Sequence, residues 1–184
     1  TNAISEGEVQ QLANARNPMI SEEIYKKVIF KKTAILFEAA TKMGSQIAGS
    51  NSKDEKTLSD YGRNIGMAFQ LMDDVLDYNG TSENLGKNIG DDLAEGKTTL
   101  PLIYAMKNGT KQQKSLIQKA IKNASFDKLG LILDAIKDTG ALDYTMSCAK
   151  KHATEAKHCL VGLSDSKEKK AMLELAEFSI DRQY

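Results

Sequence analysis

The run from Arg63 to Tyr78, RNIGMAFQLMDDVLDY, constrains the fold of this chain more than any other stretch. Wound as an α-helix at about 100° per residue, it places Arg63, Gly66, Gln70, Asp73, Asp74 and Asp77 on one stripe roughly 100° wide. Ile65, Met67, Ala68, Phe69, Leu71, Met72, Val75 and Leu76 cover nearly all the remaining circumference. A helix that is apolar almost all round is a buried helix. Unpaired carboxylates along its single polar seam would be very costly there. Asp73 and Asp77 lie at i,i+4, where like charges repel. The seam therefore demands cations, supplied by basic side chains or by a divalent metal. Oxygen-only ligands, with no nearby His or Cys, favour Mg²⁺ over zinc or iron.

The rest of the chain fits a helical protein around that element. Only two prolines interrupt its 184 residues, and strand-like alternation is nearly absent. Ala, Leu, Lys, Glu and Met are plentiful, so the fold class expected is all-α, an antiparallel helical bundle. The length suits one well-cored domain, and no internal repeat or second-domain boundary divides residues 1–184. Lys plus Arg and Asp plus Glu both number 25. Zero net charge offers no electrostatic case for a nucleic-acid partner. No apolar run is long enough to span a bilayer, and no signal peptide is evident near Thr1. Two cysteines do not make a disulfide framework, which leaves the cytoplasm as the expected compartment.

In order, a short helix is expected over Ser5 to Arg16, stopped by Asn17-Pro18. Ser21 reads as the N-cap of a helix running to about Gly49. Its apolar stripe is Tyr25, Val28, Ile29, Leu36, Ala39, Ala40, Met43 and Ile47. Lys32 interrupts that stripe and has two readings: a lysine whose head snorkels to water, or an ammonium aimed into a polar cavity beside Thr33. The central helix should span about Asp54 to Tyr78. A loop of about sixteen residues, Thr81 to Gly96, exceeds most structural connections. Its alternation of Gly with Lys and Asp suits either a solvated loop or a flap that brings charges to an anion and its metals. Helices then cover Thr98 onward, with Pro101 in the first turn, and Lys111 to Asn123, Phe126 to Thr139, Ala141 to Leu163 and Lys167 to Arg182. Cys148, His152, Glu155 and Cys159 share a helical face but spread over roughly 16 Å, too far to reach one ion.

Two of these stretches resemble a known family. The run GMAFQLMDDVLDYNGTSENLGKNIGDDLAEGKTTLPLIYAM is similar to the second aspartate-rich region of the trans-isoprenyl diphosphate synthases, the bacterial long-chain (octaprenyl-class) members in particular. The upstream run IFKKTAILFEAATKMG is similar to the family's KT-containing helix. The resemblance implies the isoprenoid-synthase helical fold and a Mg²⁺-dependent prenyltransferase, in which an allylic diphosphate ionises and isopentenyl diphosphate attacks it. It further implies that Asp73 and Asp77 coordinate Mg²⁺, with Asp74 supporting that site directly or through water. Gln70 matches the family's glutamine beside the diphosphate. Lys32, Thr33, Lys87 and Lys97 match its allylic-diphosphate contacts, and Asp92 a carboxylate beyond the GK motif that backs the metal ligands. Asp73, Asp74, Lys32 and Gln70 are the residues expected to carry catalysis, and a homodimer is expected.

The family also carries an earlier aspartate-rich motif with paired arginines, which Thr1 to Gly49 does not match. The expectation is therefore the C-terminal portion of a polyprenyl synthase domain. An alternative follows from the same observation: a helical piece or subunit that binds diphosphate with Mg²⁺, or a partner chain, without turnover. A terpene cyclase sharing the fold is a third reading, disfavoured by the GK and EGK-x-TLP lysines occurring together.

Overall fold

The computed structural model describes residues 2–79 and 89–181. Among the described residues the regular structure is entirely helical. Its organising element is α4 (Ser52–Asn79), 28 residues long and hence about 42 Å. Helix α3 (Ile35–Ile47) returns along one side of α4 after a four-residue connection, so the two run antiparallel. Helix α9 (Ala141–Cys159) covers the other side. Three apolar clusters share α4 as a common wall. Tyr61 and Ile65 pack with Ala156, Leu160 and Ala176. Met67 and Leu71 pack with Tyr25, Ile29, Ala34 and Leu100. Tyr78 joins Leu102, Ile117, Ile121, Ile132 and Ile136. The buried helix expected from the apolar circumference of 63–78 is thus the spine of the molecule.

The other elements are α1 (Asn2–Asn14), α2 (Glu22–Ile29), α5 (Asp91–Ala94), α6 (Leu100–Asn108), α7 (Lys111–Asn123), α8 (Leu129–Asp138) and α10 (Lys167–Phe178). Ser21 caps α2 as expected, its hydroxyl accepting from the Ile24 N–H. Thr110 and Gln113 form a reciprocal capping box at the start of α7. Two expectations change. The Thr81 to Gly96 loop contains a turn of helix, α5, entered through Gly90 in a left-handed conformation. The helix expected from Ser21 to Gly49 is broken in register by a π-helical segment, Phe30–Ala34.

That segment places an extra residue in one turn, so the residues before and after it do not continue a single face. Tyr25, Val28 and Ile29 are buried, whereas Leu36, Met43 and Ile47 of the expected stripe are exposed. The π segment is clasped between two glycines. A Cβ on Gly7 of α1 would stand 2.6 Å from the Lys32 nitrogen, and one on Gly66 of α4 would stand 2.4 Å from the Ala34 Cα. Both approaches are to backbone, which cannot swing aside. Gly66→Ala should therefore destabilise the protein by about 1–3 kcal/mol in urea unfolding. Gly44, where a Cβ would meet nothing, is the control: Gly44→Ala should be neutral or stabilising by up to about 1 kcal/mol.

Candidate functional site

The π segment, the polar seam of α4 and the connection from α5 to α6 enclose a recess of about 80 Å³. Lys32, Thr33, Gln70, Asp74, Asp92 and Lys97 line it, together with Tyr25, Gln11 and Asn14. A chain of hydrogen bonds backs the recess. Tyr25 Oη donates to Asp74 Oδ2 at 2.5 Å, Gln70 Nε2 donates to Asp74 Oδ1 at 3.0 Å, and Thr33 Oγ1 donates to Gln70 Oε1 at 2.9 Å. Asp74 is only 1% exposed. The two lysines are held by neighbours: Lys32 Nζ lies 3.0 Å from Glu8 and 2.5 Å from Gln11 Oε1, and Lys97 Nζ lies 2.8 Å from both Asp92 and Glu95. The segment bearing Lys97 is tied across to the α1–α2 connection. Arg16 N–H donates to the Gly96 carbonyl at 2.8 Å, and Thr98 Oγ1 to the Asn17 carbonyl at 3.0 Å.

The electrostatics of this cluster are lopsided. Burial, and then the neighbouring Asp92, push the Asp74 carboxyl up to about 7, against the hydrogen bonds from Tyr25 and Gln70 that favour its anion. Burial and Asp92 likewise raise Asp77 to about 7. Among the described residues, Asp77 Oδ2 is buried without a hydrogen-bond partner, and the Asp92 N–H, at 3.4 Å, donates to its Oδ1. Burial would lower the Lys97 ammonium, but the hydrogen bonds to Asp92 and Glu95 outweigh it and raise it. Lys97 is spread over two carboxylates, so Asp74 and Asp77 keep an unmet need for positive charge. A divalent cation fits that need and that donor set, all oxygen. Among the described residues, no three acidic, His or Cys side chains converge closely enough to hold an ion alone. An ion here would take one or two carboxylates and complete its shell with ligand or water oxygens, the usual arrangement for Mg²⁺ beside phosphates.

Of the residues singled out by sequence, Lys32, Thr33, Gln70, Asp74, Asp92 and Lys97 come together in the recess. Asp73 and Asp77 project from the same helix as Asp74 and are half-buried outside the recess lining. Lys87 lies outside the described residues. Lys32 lines the recess with its head turned onto Glu8 and Gln11 of α1. Sequence reasoning missed Glu8, Gln11 and Asn14, whose helix showed no chemical pattern. It also filed Tyr25 as core, because a tyrosine in an apolar stripe carries no mark of what its hydroxyl meets. The Cys148 to Cys159 face holds no metal set among the described residues: His152 Nδ1 sits 2.8 Å from Asn64 Oδ1, and both cysteines are free.

Residues 1–138 match the family model described as polyprenyl synthetase. The chain belongs to that family. It is 47% identical to the octaprenyl diphosphate synthase of Haemophilus influenzae, over 100% of this chain and 56% of that protein. It is 39% identical to the all-trans-nonaprenyl-diphosphate synthase (geranyl-diphosphate specific) of Rhodobacter capsulatus, over 97% of this chain and 55% of that one. Among solved structures, the polyprenyl synthase from Caulobacter crescentus, complexed with calcium and isoprenyl diphosphate, superposes with a TM-score of 0.91 at 38% identity. That match covers 100% of this chain and 56% of that one. The family's helical fold is thus the fold of this chain. The chain spans about half the length of the relatives it matches.

The raised carboxyls make a pH prediction. An acid whose native pKa is lifted from 3.8 to about 7 binds its proton more tightly when folded. Its contribution to stability is therefore greatest at low pH and falls as pH rises towards 7. Asp77→Asn removes one such group. In EDTA, the melting temperature of this variant relative to the unaltered protein should rise between pH 5 and pH 8, followed by circular dichroism. A difference independent of pH would contradict the assignment.

Proposed function

We propose that this chain supplies the allylic-diphosphate wall of a polyprenyl diphosphate synthase making long-chain all-trans products of the octaprenyl class. The observation that carries the reading is the recess in which Lys32, Thr33, Gln70 and Lys97 converge beside carboxylates that their own lysines leave under-compensated. The octaprenyl and nonaprenyl names of its relatives support the product class. The calcium and isoprenyl diphosphate bound in the Caulobacter protein support a divalent cation with a diphosphate.

In this reading an allylic diphosphate loses its diphosphate, isopentenyl diphosphate attacks the resulting cation, and loss of a proton gives a chain one unit longer. Mg²⁺, when bound, neutralises the departing diphosphate without presenting a nucleophile. Asp73 and Asp77 would hold it, with Asp74 braced behind them. Lys32 and Lys97 give up Glu8 and Asp92 for phosphate oxygens, exchanging one anionic partner for another. Lys87 adds a third ammonium by its place in the GK pair. Gln70 orients the diphosphate from the α4 side, with the Thr33 hydroxyl of the π segment holding its amide, and Asp92 tethers Lys97 between turnovers. No described helix is long and apolar enough to cross a membrane, which suits a cytoplasmic enzyme handling water-soluble diphosphates. Residues 1–184 act as one unit, and the assembly is a homodimer.

The test is incubation with an allylic diphosphate, isopentenyl diphosphate and Mg²⁺, followed by chromatography of the dephosphorylated products. Elongated all-trans alcohols are expected. Asp73→Ala should lower turnover by about 10²–10³-fold with the helical circular dichroism unchanged. Diphosphate binding without elongation would favour the second reading, a binding subunit, which the 56% coverage of its relatives keeps distinct. Neither binding nor elongation would defeat both.

A further inference from the structure

The hydrogen bonds behind the recess have a direction. Tyr25 Oη donates to Asp74 Oδ2 and Gln70 Nε2 donates to Asp74 Oδ1, one donor on each carboxyl oxygen. With its Nε2 committed to Asp74, Gln70 must turn its Oε1 to Thr33, whose hydroxyl proton is spent on that bond. One N–H of Gln70 is what remains to donate to a diphosphate oxygen; the Thr33 hydroxyl, its proton given to Gln70 Oε1, holds the amide in that orientation. Were the Asp74 carboxylate to rotate, the amide could turn over and the order of donors and acceptors would reverse. Asp74 cannot be held by Gln70 alone, since an amide on α4 four residues away moves with the same helix. The outside constraint comes from Tyr25, on α2 and 49 residues distant, 5% exposed and itself fixed in the apolar cluster of Ile29, Met67 and Leu71.

We propose that Tyr25 is a positioning residue of the diphosphate site: by pinning Asp74 it sets which face of the Gln70 amide the diphosphate meets. This deepens the function proposed above and rests on it. The competing account is that Tyr25 only fastens α2 to α4.

Calorimetric titration with inorganic pyrophosphate in the presence of Mg²⁺ separates the two, using the protein itself, Tyr25→Phe, Asp74→Asn and the double variant. Thermal melting of each is recorded alongside. Loss of a hydrogen bond to a charged group should weaken pyrophosphate binding about tenfold in each single variant. The double variant should bind no more weakly than Asp74→Asn, because Tyr25 then has nothing left to position. A Tyr25→Phe protein that melts earlier yet binds pyrophosphate as tightly as the unaltered one would overturn the proposal. So would losses that multiply to about a hundredfold in the double variant. If Tyr25→Phe alone does not fold, Asp74→Asn and the double variant still decide, since both lack the buried charge that the phenylalanine strands. Equal affinities are expected from that pair, and a further drop overturns the proposal. Failure of the unaltered protein to bind pyrophosphate with Mg²⁺ would remove the site and the proposal together, an outcome distinct from failure of Tyr25 alone.

Discussion

The bond between Tyr25 and Asp74 joins the two halves of the architecture. A carboxylate as deeply buried as Asp74 is expensive unless donors hold it, and its two come from different elements, α2 and α4. With the Thr33–Gln70 bond and the apolar cluster around them, that interaction fastens the helix carrying Lys32 and Thr33 against the helix carrying Gln70 and the aspartates. The recess exists because the two cannot slide apart without stranding the charge. The charge is also not fully compensated, since Asp92 and Asp77 crowd the same corner and Lys97 is shared. That imbalance is what the proposed cation would relieve.

Backbone geometry does the remaining positioning. The π segment at Phe30–Ala34 advances Lys32 and Thr33 out of the regular helical register, and Gly7 and Gly66 let α1 and α4 close on its backbone. In the structure as it stands, Glu8 and Gln11 occupy the Lys32 ammonium, and Asp92 and Glu95 that of Lys97. A diphosphate offers each lysine anionic oxygens in place of the carboxylate and amide oxygens that it would leave.

Much of this was legible in the chain itself, for physical reasons. The apolar circumference of residues 63–78 identified the spine, because only a buried helix tolerates it. The seam of Gln70, Asp73, Asp74 and Asp77 marked where charge would be needed. Lys32 was visible as a misfit, and the family motifs named its companions Thr33, Asp92 and Lys97. What escaped was whatever depends on register or on distant partners. A π turn leaves no compositional mark, so the exposure of Leu36, Met43 and Ile47 came as a reversal. The contact between Tyr25 and Asp74 joins residues 49 apart, and periodicity along one helix says nothing about it. Gln11 and Asn14 were invisible for the same reason, since their roles come from what α1 packs on rather than from any pattern within it.

The central claim is that the α4 seam is one wall of a cation site completed by a diphosphate. A crystal structure of the protein grown with Mg²⁺ and inorganic pyrophosphate tests it most directly. The account predicts Mg²⁺ about 2.0–2.1 Å from a carboxylate oxygen of Asp73 or Asp77 and from pyrophosphate oxygens. Lys32 and Lys97 should have moved onto the phosphates while Asp74 remains bonded to Tyr25. Pyrophosphate bound away from the recess, or held there by lysines with no metal against the α4 aspartates, would contradict it.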